Sequence, residues 1–212
     1  MISLSEREKV GWFQKFLGRI GKYFYWWKAK KMSAVMMTFD FLECVRILVE
    51  LNDGDIITAL HEFRELGRSA GQTVAAELLG PGELIFSKNV KDIPFILRVA
   101  WFIFFGENLK DVKFHDKTKD EPIKITWTLN RCIFCAALGK ENELKFDRDI
   151  MKTDETRLTY GSVVAGAMEG ALNSILEYVG SPYRAEIHET KCLVCGDPYP
   201  EYTAYLYEKE TE

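Results

Sequence analysis

Four of the chain's five cysteines stand in two C-x-x-C pairs, Cys132/Cys135 in "RCIFC" and Cys192/Cys195 in "KCLVCGDPYP", with 56 residues between them. A C-x-x-C turn holds two sulfurs at the separation that grips one metal ion. Two such turns compose a tetrahedral set of four thiolates, the make-up of a structural zinc site with Zn–S of about 2.3 Å. Gly196 directly follows the second pair and suits the turn, which often needs a residue at positive φ. Ala136 holds that place in the first pair, making it the less ideal knuckle. Arg131 and Lys191 each precede a pair and would lower the thiol pKa values. Four closed ligands leave no position for water, so zinc at Cys132, Cys135, Cys192 and Cys195 would hold structure together and not catalyse. The same sulfurs also allow a dithiol/disulfide redox pair, iron in place of zinc, or unrelated free thiols. Cys44, alone on an apolar stretch, reads as a small buried hydrophobe.

Little else in the sequence suggests reactive chemistry. It holds no G-x-G-x-x-G and no P-loop, and "HEFRE" and "HETKC" are not H-E-x-x-H. His61, His115 and His188 fall on separate elements, with no triad partner visible. No catalytic residue is assigned.

The elements that must position the cysteines follow from hydrophobic periodicity. Val10, Trp12, Phe13, Phe16, Leu17, Ile20, Tyr23, Phe24 and Trp27 recur at helical spacing and predict a helix from Ser5 to about Lys31. Further helices are expected over Ala34–Leu51, over Ile56–Leu79 with a stop at "GPG", and over Val90–Phe105. Asp53 or Asp55 would cap the third. The period then changes: Ile123, Ile125, Trp127 and Leu129 alternate with polar residues, as in a half-buried strand, with Leu109–Asp116 as partner. The charged stretch 140–156 reads as a surface loop. Tyr160–Val179 reads as a helix rich in small residues that would pack tightly on the sheet. Strands over Tyr183–Glu189 and Tyr202–Tyr207 complete the order. Runs of helix then strand define an α+β fold, N-terminal helices on an antiparallel sheet of two hairpins flanking a helix. The zinc site would lie at the sheet edge, on the expectation that the strands ending near Asn130 and Glu189 are parallel neighbours. The whole chain, 1–212, is expected to be one domain, with an amphipathic helix over 1–33, a helical part over 34–106 and the sheet and zinc site over 107–212.

Composition bounds the function. Residues 1–31 carry a balance of +6 although the whole chain is at −4, which argues against bulk nucleic-acid binding while leaving one basic segment. The start lacks a signal-peptide pattern, and no apolar run is long enough to span a bilayer. A cytoplasmic protein without integral membrane association is expected.

The stretch "GSVVAGAMEGALNSILEYVGSPYRAEIHETKCLVCGDPYPEY" resembles the C-terminal half of the 4-vinyl reductase domain, at Glu189, Cys192, Gly196, Asp197 and Pro198, over about Tyr160–Tyr205. Pro200 stands where that family often has its last cysteine. The resemblance implies a fold shared with TRAPP vesicle-tethering subunits and with phenol-responsive sensor domains, the ligand-binding fold of nitric-oxide signalling and Golgi transport. It implies zinc at Cys192 with Cys132 or Cys135 from the distal strand, and Glu189 as an outside candidate ligand.

The resemblance also implies a pocket between helices and sheet for a small hydrophobic or aromatic ligand. Phe95, Trp101, Phe102 and Phe105 on the apolar helix and Trp127 on the strand supply rings for it, and Arg98 would sit at its mouth. The expected function is therefore a zinc-stabilised, non-catalytic, ligand-binding domain. The alternatives are an interaction scaffold of the TRAPP-subunit type or an accessory subunit of a vinyl or tetrapyrrole reductase. The N-terminal aromatic stripe reads as intramolecular packing, as the interface of a homodimer, or as a membrane-surface contact; a homodimer is the expectation carried forward.

Overall fold

The structure is a computed structural model that describes residues 9–28, 34–82, 85–129, 132, 158–193 and 195–209. Its helices are α1 (Trp12–Lys28), α2 (Ala34–Leu51), α3 (Ile56–Gly82), α4 (Ile93–Phe105) and α5 (Ser162–Tyr178). Its strands are β1 (Lys110–His115), β2 (Ile123–Thr128), β3 (Tyr183–Lys191) and β4 (Glu201–Glu208). The expected α+β architecture is present, with four strands in one antiparallel sheet. The charged stretch 140–156 and Cys135 lie outside the described residues.

Local chemistry explains the boundaries. Asp55 caps α3: its Oδ1 accepts from the Ile57 and Thr58 amides at 3.0 and 3.2 Å. Asp53 and Gly54, both at positive φ, make the turn that precedes it. Gly106 ends α4 in the left-handed region (φ 68°), and its amide bonds Phe102 O at 2.9 Å. The third helix does not stop at Gly80; it runs through Pro81 to Gly82. A proline in a last turn forfeits only one backbone hydrogen bond there.

Strand order is β1-β2-β4-β3. This corrects the expected neighbourhood of the two cysteine-bearing strands. β2 and β3 do run the same way, because each is antiparallel to β4, but β4 lies between them. Their ends are one strand further apart than direct neighbours would be, about 9–10 Å.

The small residues of α5 also pack differently from expectation. They meet α3 rather than only the sheet. A Cβ at Gly67 or Gly71 on α3 would fall on the carbonyl oxygens of Val163 and Ala167. A Cβ at Gly166 or Gly170 on α5 would fall on those of Arg64 and Arg68. Each helix thus carries a G-x-x-x-G step into which the other's backbone fits, and α5 in turn rests on β3.

The first helix lies on α4. Val10 and Gly18 are buried, and Tyr23 and Trp26 meet Phe102 edge-on at ring separations of 4.8 and 6.2 Å. Asp92 anchors the junction. Its Oδ2 accepts from Val10 N at 2.7 Å and Ser87 Oγ at 2.9 Å, and its Oδ1 pairs with Lys15 Nζ at 2.7 Å.

Candidate functional site: an apolar cavity and a cysteine–glutamate cluster

The interdigitated glycines hold α3 and α5 close, and α2 packs on α3 with Phe41 edge-on to Phe63 at 5.7 Å. Between these three helices and α4 lies a cavity of about 610 Å³. Its wall is almost wholly apolar: Met37 and Phe41 from α2, Phe63 and Val74 from α3, Leu97, Trp101 and Phe105 from α4, and Val163, Met168 and Leu172 from α5. Trp26 of α1 and Glu107 after α4 reach it as well. That volume and character suit a small apolar ligand.

The expected ligand-contacting residues divide. Trp101 and Phe105 line the cavity, their ring centroids 4.2 Å apart. Phe102, the next residue round the helix from Trp101, faces α1 and carries the Lys22 ammonium 4.3 Å from its ring centroid. Trp127 is fully buried in the sheet and stacks on Tyr202 at 6.0 Å, its partner in register on β4. Arg98 is exposed and donates to Val112 O at 3.3 Å. It snorkels to water and β1 and does not line the cavity. Cys44 corrects its expected role: it is exposed, and its side chain belongs to the cavity wall. The wall contributed by α3 and α5 was not singled out in the sequence. Its signal was there in the paired glycine steps, which mark where two helices touch.

A second cluster forms where β3 ends. Glu189 occupies an inward register position and is buried. Its Oε2 accepts from Thr159 Oγ1 and from Gly161 N, the latter at 3.1 Å, at the start of α5. Gly161 is required by this approach, since a Cβ there would fall on the Glu189 carboxylate and the Tyr202 hydroxyl. Oε1 is buried as well, and the carboxyl also meets the Cys192 side chain. Burial, then the neighbouring Cys192 and Cys132 sulfurs, push the Glu189 carboxyl well above the usual carboxylate range. A hydrogen bond with Cys192, then burial, push the Cys195 thiol up. Cys132 and Cys192 are buried and Cys195 is half-buried. Gly196 has the expected positive φ (95°), and Asp197 Oδ2 accepts from Cys192 N at 2.8 Å, closing the turn.

Three of the four predicted cysteines therefore gather round one buried carboxylate. Among the described residues, no three His, Cys, Asp or Glu side chains are already set to hold a metal ion. The donor types do suit zinc. A buried carboxyl group beside thiols is a set of donors whose burial a cation would offset.

Helices on an antiparallel sheet in this order make a TRAPP-subunit-like fold. Among solved structures, the chain is similar to trafficking protein particle complex subunit 3 from Naegleria fowleri, crystallised covalently bound to palmitic acid. The TM-score is 0.56 at 17% identity, over 84% of this chain and 99% of that one. No protein-family model matches the chain, and no curated protein matches it. No helix among the described residues is long and apolar enough to cross a membrane.

Proposed function

We propose that the protein is a non-catalytic domain of the TRAPP-subunit type that holds one long apolar ligand in the cavity between α2, α3, α4 and α5. The observation that carries this reading is the cavity: about 610 Å³ of apolar space inside a domain large enough to have filled it. The palmitic acid carried by the similar subunit lends support, because an acyl chain is the ligand shape such a wall favours. The test is extraction of lipid from purified protein, together with thermal shifts on adding saturated fatty acids of increasing chain length. A rise in Tm that peaks at one chain length supports the reading. A protein that purifies empty and gains nothing from any chain length overturns it. Intact mass before and after hydroxylamine separates a free ligand from a thioester at Cys44.

The fold likeness favours a second reading more directly, an interaction scaffold that assembles with other subunits. The two are compatible, since a filled cavity stiffens the helices that would form an interface. The 4-vinyl reductase assignment and an accessory role to a reductase rest only on the local sequence resemblance. In either reading we assign the cysteine cluster a structural zinc. Cys132, Cys192 and Cys195 would supply three ligands, and Cys135 or Glu189 the fourth. When bound, the ion would tie the ends of β2 and β3 across β4. The protein's own contribution is to bury the donors and fix Glu189 through Thr159 and Gly161.

A further inference from the structure

α1 is only half used by the fold. One side is pinned by Asp92, Phe102 and Gly106. The other side is exposed and almost entirely aromatic or aliphatic. Nine of its seventeen residues are large apolar side chains open to solvent, including Trp12 at 79% and Trp27 at 75%. A stripe this dense exceeds what a soluble surface normally leaves uncovered.

Charge identifies what covers it. α1 contains Lys15, Arg19, Lys22 and Lys28 and no acidic residue. Lys15 and Lys22 point along the flank toward α4, at Asp92 and Asn108, and Arg19 stands exposed beside the stripe. Lys28, also exposed, lies 4.7 Å from the Phe24 ring centroid. A second copy of this helix would offer Arg19 and Lys28 no acidic side chain to pair with, because a two-fold interface repeats the same patch and α1 carries none. An anionic bilayer surface complements both features at once. The aromatic stripe enters the boundary between headgroups and acyl chains, and the cations meet lipid phosphates and carboxylates. Tryptophan near each end of the helix matches the side chain that prefers this boundary. The helix, about 25 Å long, would lie in the plane of the surface.

We propose that α1 docks the protein on an anionic lipid surface as a peripheral, in-plane amphipathic helix. This goes beyond the ligand reading and does not depend on the cavity being filled. The test is co-sedimentation of the full chain with phosphatidylcholine vesicles, with and without phosphatidylserine. Binding is expected only with phosphatidylserine and should fall steeply as salt is raised. Arg19→Ser should weaken it about fivefold. Trp12→Ala with Trp27→Ala should weaken it at least as much, with an unchanged thermal melt because both side chains are exposed. Equal binding to neutral vesicles, or no binding to either, overturns the proposal. So does a wild-type homodimer that Phe16→Asp splits while vesicle binding stays intact.

Discussion

Arg64 on α3 and Glu169 on α5 form a buried ion pair that also grips the free edge of β3. Glu169 Oε2 accepts from Ile187 N at 2.8 Å and Arg64 Nη2 donates to Ile187 O at 2.7 Å, while Arg68 pairs with Glu169 Oε1 at 2.7 Å. Asn173 does the same two residues earlier, bonding Ala185 N and O at 2.7 and 2.9 Å. β3 is an edge strand, and these side chains satisfy backbone groups that would otherwise invite another strand. Burial lowers the Arg64 pKa and Glu169 opposes that shift, so the carboxylate offsets part of what desolvating the guanidinium costs. Glu169→Ala should cost about 3–5 kcal/mol by leaving that charge buried alone. Arg64→Met with Glu169→Leu should cost much less. Urea denaturation of the three proteins decides it, and a double variant as unstable as the single one would refute the account.

The glycine steps make a sharper prediction, because position alone separates the outcomes. Gly71→Ala or Gly170→Ala forces α3 and α5 apart and should destabilise by about 1–3 kcal/mol. Gly21→Ala in α1 adds a methyl to open space, with nothing within 4 Å. It should be neutral or stabilise by up to about 1 kcal/mol. Thermal melts that rank all three variants alike would show that the close approach is not what these glycines provide.

The same contrast shows how far the sequence could be read. α2 has the predicted limits, and β2 falls within the predicted strand, because period and polarity changed sharply there. The small residues of α5 were visible, but their partner was not, since periodicity gives a face and not what it faces. Phe102 and Trp101 are adjacent on a helix that is apolar nearly all round, and no pattern could say which one met α1 and which one met the cavity. Arg98 stood out as a charge on that helix, and its exposure to water is the ordinary outcome of that contrast. Glu169 was the comparable signal on α5, an acid in the middle of small and apolar residues, and that one is buried. The carboxylate at Glu189 came to notice only through a family resemblance; its burial depends on Thr159 and Gly161, thirty and twenty-eight residues away in sequence.

Metal content should follow the cysteines in a specific order. Cys192→Ser removes a buried sulfur common to every ligand set and should lose zinc and stability together. Glu189→Gln and Cys135→Ser then separate the fourth ligand. If Glu189 binds, its variant loses most of the zinc and the Cys135 variant keeps it; a set of four cysteines gives the reverse. Elemental analysis of freshly purified proteins reads both. Zinc-free wild type that melts at the same temperature with and without added metal would remove the ion from the account.

The cavity gives the last test, since enlarging it and filling it should act in opposite directions on ligand and protein. Trp101 is buried and lies on the wall against Phe105. Trp101→Ala should cost about 3–5 kcal/mol in the empty protein. Because the new space joins a cavity already open to an acyl chain, a longer fatty acid should restore part of that loss. Ala171→Phe, on the α5 wall, places a ring into the same space. It should leave the empty protein as stable as wild type or more so, while abolishing the thermal shift from every fatty acid. The two variants, titrated with the same chain-length series, should therefore show opposite changes in ligand response. If Trp101→Ala is simply less stable at every chain length and Ala171→Phe keeps the wild-type response, the ligand binds elsewhere or not at all, and the scaffold reading stands alone.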